Sequence, residues 1–81
     1  MTEAGIKSAI IDGLRRIAPE SDPATLRPGE NVREALEIDS FDFLNFLIAL
    51  HDKLGVEIPE ADYGKLTTME AMTAYLMAKG A

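Results

Sequence analysis

Apolar residues recur at helical spacing in three stretches of this chain, with polar residues on the faces between them. In the first, Ile6, Ala9, Ile10, Gly13, Leu14 and Ile17 share one face while Lys7, Ser8, Asp12, Arg15 and Arg16 share the other. That pattern predicts a helix from about residue 3 to 18, stopped by Pro19. In the second, Phe43, Leu44, Leu47, Leu50, the half-apolar His51 and Leu54 keep roughly a 3.6-residue period. This helix opens at Ser40, runs for about four turns and ends at Gly55, placed as a left-handed terminator. In the third, Met69, Met72, Tyr75 and Leu76 mark the buried face of a helix reaching about Lys79, with Gly80 behind it. Thr67-Thr68-Met69-Glu70 supplies capping-box spacing at its start. Between the second and third, Ile58-Pro59 forces an extended step and Glu60 to Lys65 forms a short helix.

The 21 residues from Pro19 to Asp39 show no sustained periodicity, a long connection for a compact domain. They still carry local order. Asp22-Pro23 can cap a single turn with proline at its first position, and Asn31-Val32-Arg33-Glu34 has capping-box spacing for another. Leu26, Val32 and Leu36 would pin this crossover to the core. Gly13, inside the first helix, should cost about 1 kcal/mol relative to alanine, and a close helix crossing is the reason expected for it. No strand-like alternation or repeat is present. The expected fold is all-α: a small four-helix bundle with three longer helices and one short helix, and a long structured loop between helices 1 and 2.

Composition narrows the function. The chain of 81 residues, 47% hydrophobic, makes one small domain, residues 1–81, with one modest core and no cysteine for a disulfide or thiolate site. No window approaches the ~18 apolar residues of a membrane span, and the N-terminus has no signal-like apolar run, so a cytoplasmic, monomeric protein is the expectation. Net charge is −6, unevenly placed: residues 30–62 hold nine acids and two bases, whereas residues 1–29 hold four of each. The excess surrounds Ser40. It repels phosphate backbones, arguing against nucleic acid, and suits docking to basic protein patches.

Serine hydrolysis needs a base beside the nucleophile, and His51, the single histidine, stands eleven helical residues from Ser40, or ~16 Å along the axis. One histidine and scattered carboxylates give no metal-ligand spacing. Glu37, Asp39 and Asp42 are accounted for as solvated acids at a helix start. Phe41, Phe43 and Phe46 cannot all face one core. Phe46 is expected inside, Phe43 partly so, and Phe41 exposed beside Ser40. A helix N-terminus, with unpaired N–H groups and the positive end of the macrodipole, suits a phosphate carried on the Ser40 hydroxyl.

The chain resembles the acyl carrier protein family over nearly its whole length. The resemblance rests on Asp39-Ser40-Phe41-Asp42, the Ala49-Leu50 turn, Gly55-Val56-Glu57-Ile58-Pro59, and Thr67-Thr68 opening the last helix. It implies that Ser40 is the attachment site for 4′-phosphopantetheine, transferred from coenzyme A by a separate magnesium-dependent phosphopantetheinyl transferase, with Asp39 assisting. It implies partner recognition through Phe41, Asp42, Leu44, Ile48, Asp52 and Glu60. The chain would then be a carrier and not an enzyme, holding acyl groups as thioesters for an acyl-loading ligase and for synthases or acyltransferases of fatty-acid, specialised lipid or polyketide synthesis. An aminoacyl or peptidyl carrier loaded by an adenylating ligase is the alternative within this fold. A helical interaction module whose Ser40 is only an N-cap is the alternative outside it. The chain departs from the family in having Glu37 where glycine is common, Phe41 where leucine follows the serine, and Asn45 and His51 where acids line the helix.

Overall fold

The computed structural model describes residues 2–80. Helix α1 spans Glu3–Ile17, α2 Val32–Leu36, α3 Ser40–Leu54 and α4 Met69–Ala78, with 3₁₀ turns at Pro23–Thr25 and Glu60–Lys65. The three longer helices are those the periodicity predicts, and the short helix expected at 60–65 is a 3₁₀ turn with those bounds. The capped turn expected at Asn31 is a five-residue helix, α2, with Asn31 Oδ1 accepting from the Glu34 N–H. At Asp22, the carboxylate accepts from the Ala24 N–H and opens the first 3₁₀ turn at Pro23.

Ile6, Ile10 and Leu14 of α1 meet Phe43, Phe46, Leu47 and Leu50 of α3 and Met72 and Leu76 of α4 in one core cluster. α1 touches both other long helices, and Gly13 lies where it meets α3. A Cβ built on Gly13 would lie 2.8 Å from Cε1 and 2.9 Å from Cδ1 of Phe46, whose side chain is 1% exposed. That approach closes the question of why a glycine interrupts α1.

The long connection is stitched to α4. The Val32 N–H donates to the Thr67 carbonyl (2.9 Å), the Glu70 N–H donates to the Pro28 carbonyl (3.0 Å), and Asn31 and Thr68 form an isolated antiparallel bridge. Val32 is fully buried, and Leu26 and Leu36 pack partly buried on the core. The capping reading at α4 needs one correction. The N-cap is Thr68, whose Oγ accepts from the Ala71 N–H, so Thr67 and Glu70 do not close a capping box. The Glu70 N–H, which a box beginning at Thr67 would engage, is already used by Pro28. The α3 periodicity also needs trimming: Leu44 and His51 face solvent, and Phe46 takes the inward position between Phe43 and Leu47.

α2 ends at Glu37, held in the left-handed region at φ 54°, ψ 45°. The N–H groups of Glu37 and Ile38 both donate to the Arg33 carbonyl, and Ile38 then plugs into the core, 6% exposed. The chain thus turns from α2 into α3 within three residues. A side chain at positive φ costs about 1–2 kcal/mol, of which glycine recovers part, losing about 0.5–1 kcal/mol to its freer unfolded state.

The two positions make opposite predictions. Gly13→Ala gains about 1 kcal/mol of helix propensity but forces a methyl group against a buried ring, an overpacking that costs about 1–3 kcal/mol, so thermal melting should show net loss of stability. Glu37→Gly should raise stability by up to about 1 kcal/mol. A more stable Gly13→Ala protein would show that α1 and α3 separate without loss.

Candidate functional site

Asp39 and Ser40 divide the start of α3 between them. Asp39 is the N-cap, in extended backbone, and its Oδ1 accepts from the Asp42 N–H at 2.8 Å. Ser40 is the first helical residue, exposed, and among the described residues its hydroxyl has no hydrogen-bond partner. The reading of Ser40 as a mere N-cap therefore fails: the neighbouring carboxylate does that work. The backbone N–H groups of Ser40 and Phe41 precede the first intrahelical bond, which Phe43 donates to the Asp39 carbonyl, and both residues are exposed at the positive end of the helix dipole. A phosphoryl group on the Ser40 oxygen fits this end of α3. Its oxygens would meet unpaired donors, and the bond to oxygen displaces no existing hydrogen bond.

Ser40 has no chemistry of its own beyond that free hydroxyl. His51, near the other end of α3, is exposed, and its Nδ1–H donates to the Val56 carbonyl at 2.8 Å, bracing the turn around Gly55, which sits at φ 67°. Among the described residues no group of three histidines or carboxylates could hold a metal, and no described helix is long and apolar enough to cross a membrane.

Two surfaces flank Ser40. The first is a stripe on α3: at about 100° per residue, Phe41, Leu44, Ile48 and Asp52 fall within an arc of about 80° opposite the core face. Phe41 is 71% exposed, Ile48 48% and Leu44 37%, so three large apolar side chains stand in water on one helix. Asp42 and Asp52 are exposed on the same helix, and Glu60 is exposed at the start of the 60–65 turn. The second is a cleft of about 510 Å³ between α2, α3 and that turn, lined by Ser40, Arg33, Ile38, Leu44, Leu47 and Tyr63 among others. Its far wall is tied to α4, where the Tyr75 hydroxyl donates to Asp62 Oδ2 at 2.6 Å.

A family model described as the phosphopantetheine attachment site matches residues 8–76. Similar curated proteins include the acyl carrier protein of Rubrobacter xylanophilus, 34% identical over 56 residues, covering 69% of each chain. The meromycolate extension acyl carrier protein of Mycolicibacterium smegmatis is 32% identical over 76 residues, covering 90% of this chain and 77% of its own. The acyl carrier protein of Helicobacter hepaticus is 29% identical over 77 residues, covering 95% of both. The chain belongs to the acyl carrier protein family. As an acyl carrier protein it is a carrier and not an enzyme, it binds 4′-phosphopantetheine, and it works with partner enzymes.

Of the residues the sequence singles out, the structure brings Asp39, Ser40, Phe41, Asp42, Leu44, Ile48 and Asp52 onto one helix and its cap. Glu60 lies apart from them, on the 60–65 turn. Three features of the site escape sequence reasoning. The left-handed Glu37 could have been found from the glycine that commonly stands there. Arg33 could have been found as one of two bases in an acid-rich segment. The Tyr75–Asp62 bond joins residues thirteen apart on separate elements and left no local signal.

That bond predicts a pH dependence. The Tyr75 hydroxyl, and secondarily Lys65 at 3.3 Å, hold the Asp62 carboxyl below its ordinary value, while Asp62 and burial push Tyr75 up to about 12. A lowered carboxyl stabilises the fold above the ordinary carboxylate range and loses that effect as pH falls through it. A raised phenol stabilises below about pH 10 and loses the effect as pH rises toward about 12. The melting-temperature gap between wild type and Tyr75→Phe should therefore be widest between about pH 4 and pH 10 and shrink on either side. A gap constant across pH would assign the loss to packing alone.

Proposed function

We propose that Ser40 bears the 4′-phosphopantetheine arm and that the protein carries acyl groups between enzymes of fatty-acid, specialised lipid or polyketide synthesis. The observation that supports this most is the free, exposed Ser40 hydroxyl at the first turn of α3, with capping delegated to Asp39. The likeness to acyl carriers, one of them named for meromycolate extension, favours an acyl cargo over an aminoacyl one.

The residues divide the work. The Ser40 oxygen attacks the pyrophosphate of coenzyme A on a transferase, which takes the serine proton, and the nucleotide half leaves. Asp39 caps the helix start, so Ser40 is presented from an ordered first turn. When bound, the arm supplies a terminal thiol that holds the cargo as a thioester, a group the cysteine-free chain lacks. Phe41, Leu44 and Ile48 offer apolar contact to a docking enzyme, and Asp42, Asp52 and Glu60 meet its basic groups. Ile38, Leu44 and Leu47 give the cleft an apolar side where part of the cargo can be shielded.

Coexpression with a broad-specificity phosphopantetheinyl transferase should add one arm, and Ser40→Ala should abolish the addition in intact-mass spectra. Modification at Ser8 or Ser21 would overturn the assignment. The mass released with the arm from protein isolated from its native host should be an acyl group, and an aminoacyl mass would move the protein to the other carrier class.

Phe41 and Phe46 should separate recognition from folding. Phe41→Ala, at an exposed position, should change stability by no more than about 0.5 kcal/mol while slowing modification or loading. Phe46→Ala should cost about 3–5 kcal/mol and unfold much of the population. Charge reversal at Asp42 should weaken transferase binding in a salt-sensitive way, unlike reversal at Glu3. Asp39 is a poor probe of docking, because losing its cap costs about 1 kcal/mol by itself. Equal losses on reversing Asp42 and Glu3 would show that the acids of α3 are not the docking face.

A further inference from the structure

Arg33 and Lys53 are the two bases among residues 30–62, against nine acids. Lys53 is engaged, its Nζ 3.7 Å from Asp12 across α1 and α3. Arg33 has no carboxylate within ion-pair distance among the described residues. Its Nε donates to the Ile38 carbonyl at 3.3 Å, and its guanidinium carbon stands 5.9 Å from the centre of the Phe43 ring. Those two contacts orient the head group and leave both Nη nitrogens without an acceptor among the described residues. Ile38 lies two residues before Ser40, Phe43 three after it, and Arg33 lines the same cleft as Ser40.

A phosphodiester on Ser40 would be a fixed negative charge among Glu34, Glu37, Asp39 and Asp42, all exposed. Arg33 is the cation lining the cleft there, and a guanidinium offers paired N–H donors with the spacing of two phosphate oxygens. We propose that Arg33 is a positioning residue that holds the phosphodiester of the arm and turns its root toward the cleft between α2, α3 and the 60–65 turn. This rests on attachment at Ser40. Arg33 serves the arm, not a carboxylate at the far end of the cargo, because both of its present contacts flank the attachment residue.

The test compares wild type, Arg33→Gln and Arg33→Lys, each as the unmodified protein and as the form carrying the unloaded arm, with the modified residue mapped by mass spectrometry. Phosphorus NMR of the arm and thermal melting of both forms are recorded at low and high salt. In wild type at low salt the phosphorus signal should differ from that of free phosphopantetheine and move toward it as salt rises. Arg33→Gln should sit near the free position at every salt concentration, and Arg33→Lys should retain part of the displacement. The stabilisation gained on modification should shrink in Arg33→Gln, corresponding to a shift of about 1.5- to 5-fold in docked-arm population, the range of an exposed ion pair. An unchanged phosphorus signal with equal destabilisation of both forms would overturn the proposal, leaving Arg33 a tie to Ile38 and Phe43. An effect confined to protein loaded with a carboxylated acyl group would also overturn it, in favour of the cargo. A mass increment absent, or mapped to another residue, is the separate failure of the Ser40 assignment, and the role of Arg33 falls with it.

Discussion

The contact of Phe46 with the bare backbone at Gly13 sets the geometry of the rest. A helix packed on a core has little freedom except to slide and to rotate, and a rigid ring seated where no Cβ can stand removes both. Phe46 also packs on Phe43, with ring centres 5.6 Å apart and planes tilted by 39°, so the inward face of α3 is fixed over its first two turns. Once Phe43, Phe46, Leu47 and Leu50 point inward, Phe41, Leu44, Ile48 and Asp52 have to point outward. The exposed stripe and the direction of Ser40 follow from a contact on the opposite side of the helix.

The second constraint is the chain between α1 and α3. It belongs mechanically to α4, through backbone bonds from Val32 to Thr67 and from Glu70 to Pro28. α2 is too short to be stable alone. These bonds, the burial of Val32 and the plug of Ile38 hold it where it forms one side of the cleft beside Ser40. The other side, the 60–65 turn, is tied to α4 by Tyr75 and Asp62. α4 therefore supports both walls of a cleft that its own side chains do not line.

What the sequence disclosed and what it concealed divides along the same line. Periodicity located α1, α3 and α4, and turn chemistry located the caps at Asp22 and Asn31 and the left-handed Gly55, because those signals lie within a few residues of their effect. Gly13 was legible as an anomaly whose explanation, Phe46, lies thirty-three residues away. Where two cap-competent side chains adjoin, local sequence leaves the cap open, and at Thr67 the expected box began one residue early. At Thr67-Thr68 the cap belongs to the second residue, because the first gives its carbonyl to Val32. At Asp39-Ser40 it belongs to the first. In both places the choice is made by a partner or a geometry that the local sequence does not contain. The contacts of Arg33 were hidden similarly, since both depend on how α2 turns through the left-handed Glu37 into α3.

The order Asp-Ser, and not Ser-Asp, bears on how a modified helix stays folded. A serine that caps a helix accepts a hydrogen bond through the oxygen that a substituent would occupy, so attaching a group there would disturb the helix start as it formed. Here Asp39 accepts that bond, and the Ser40 oxygen takes no part in it. On the reading that Ser40 bears the arm, the helix start is the same before and after modification, and the new phosphate adds favourable charge at the positive end of the dipole. The electrostatic cost lies with the neighbouring acids, which a docking surface for basic partners needs. A single cation placed between Ile38 and Phe43 reduces that repulsion at the root of the arm and leaves the acids of α3 free to face outward.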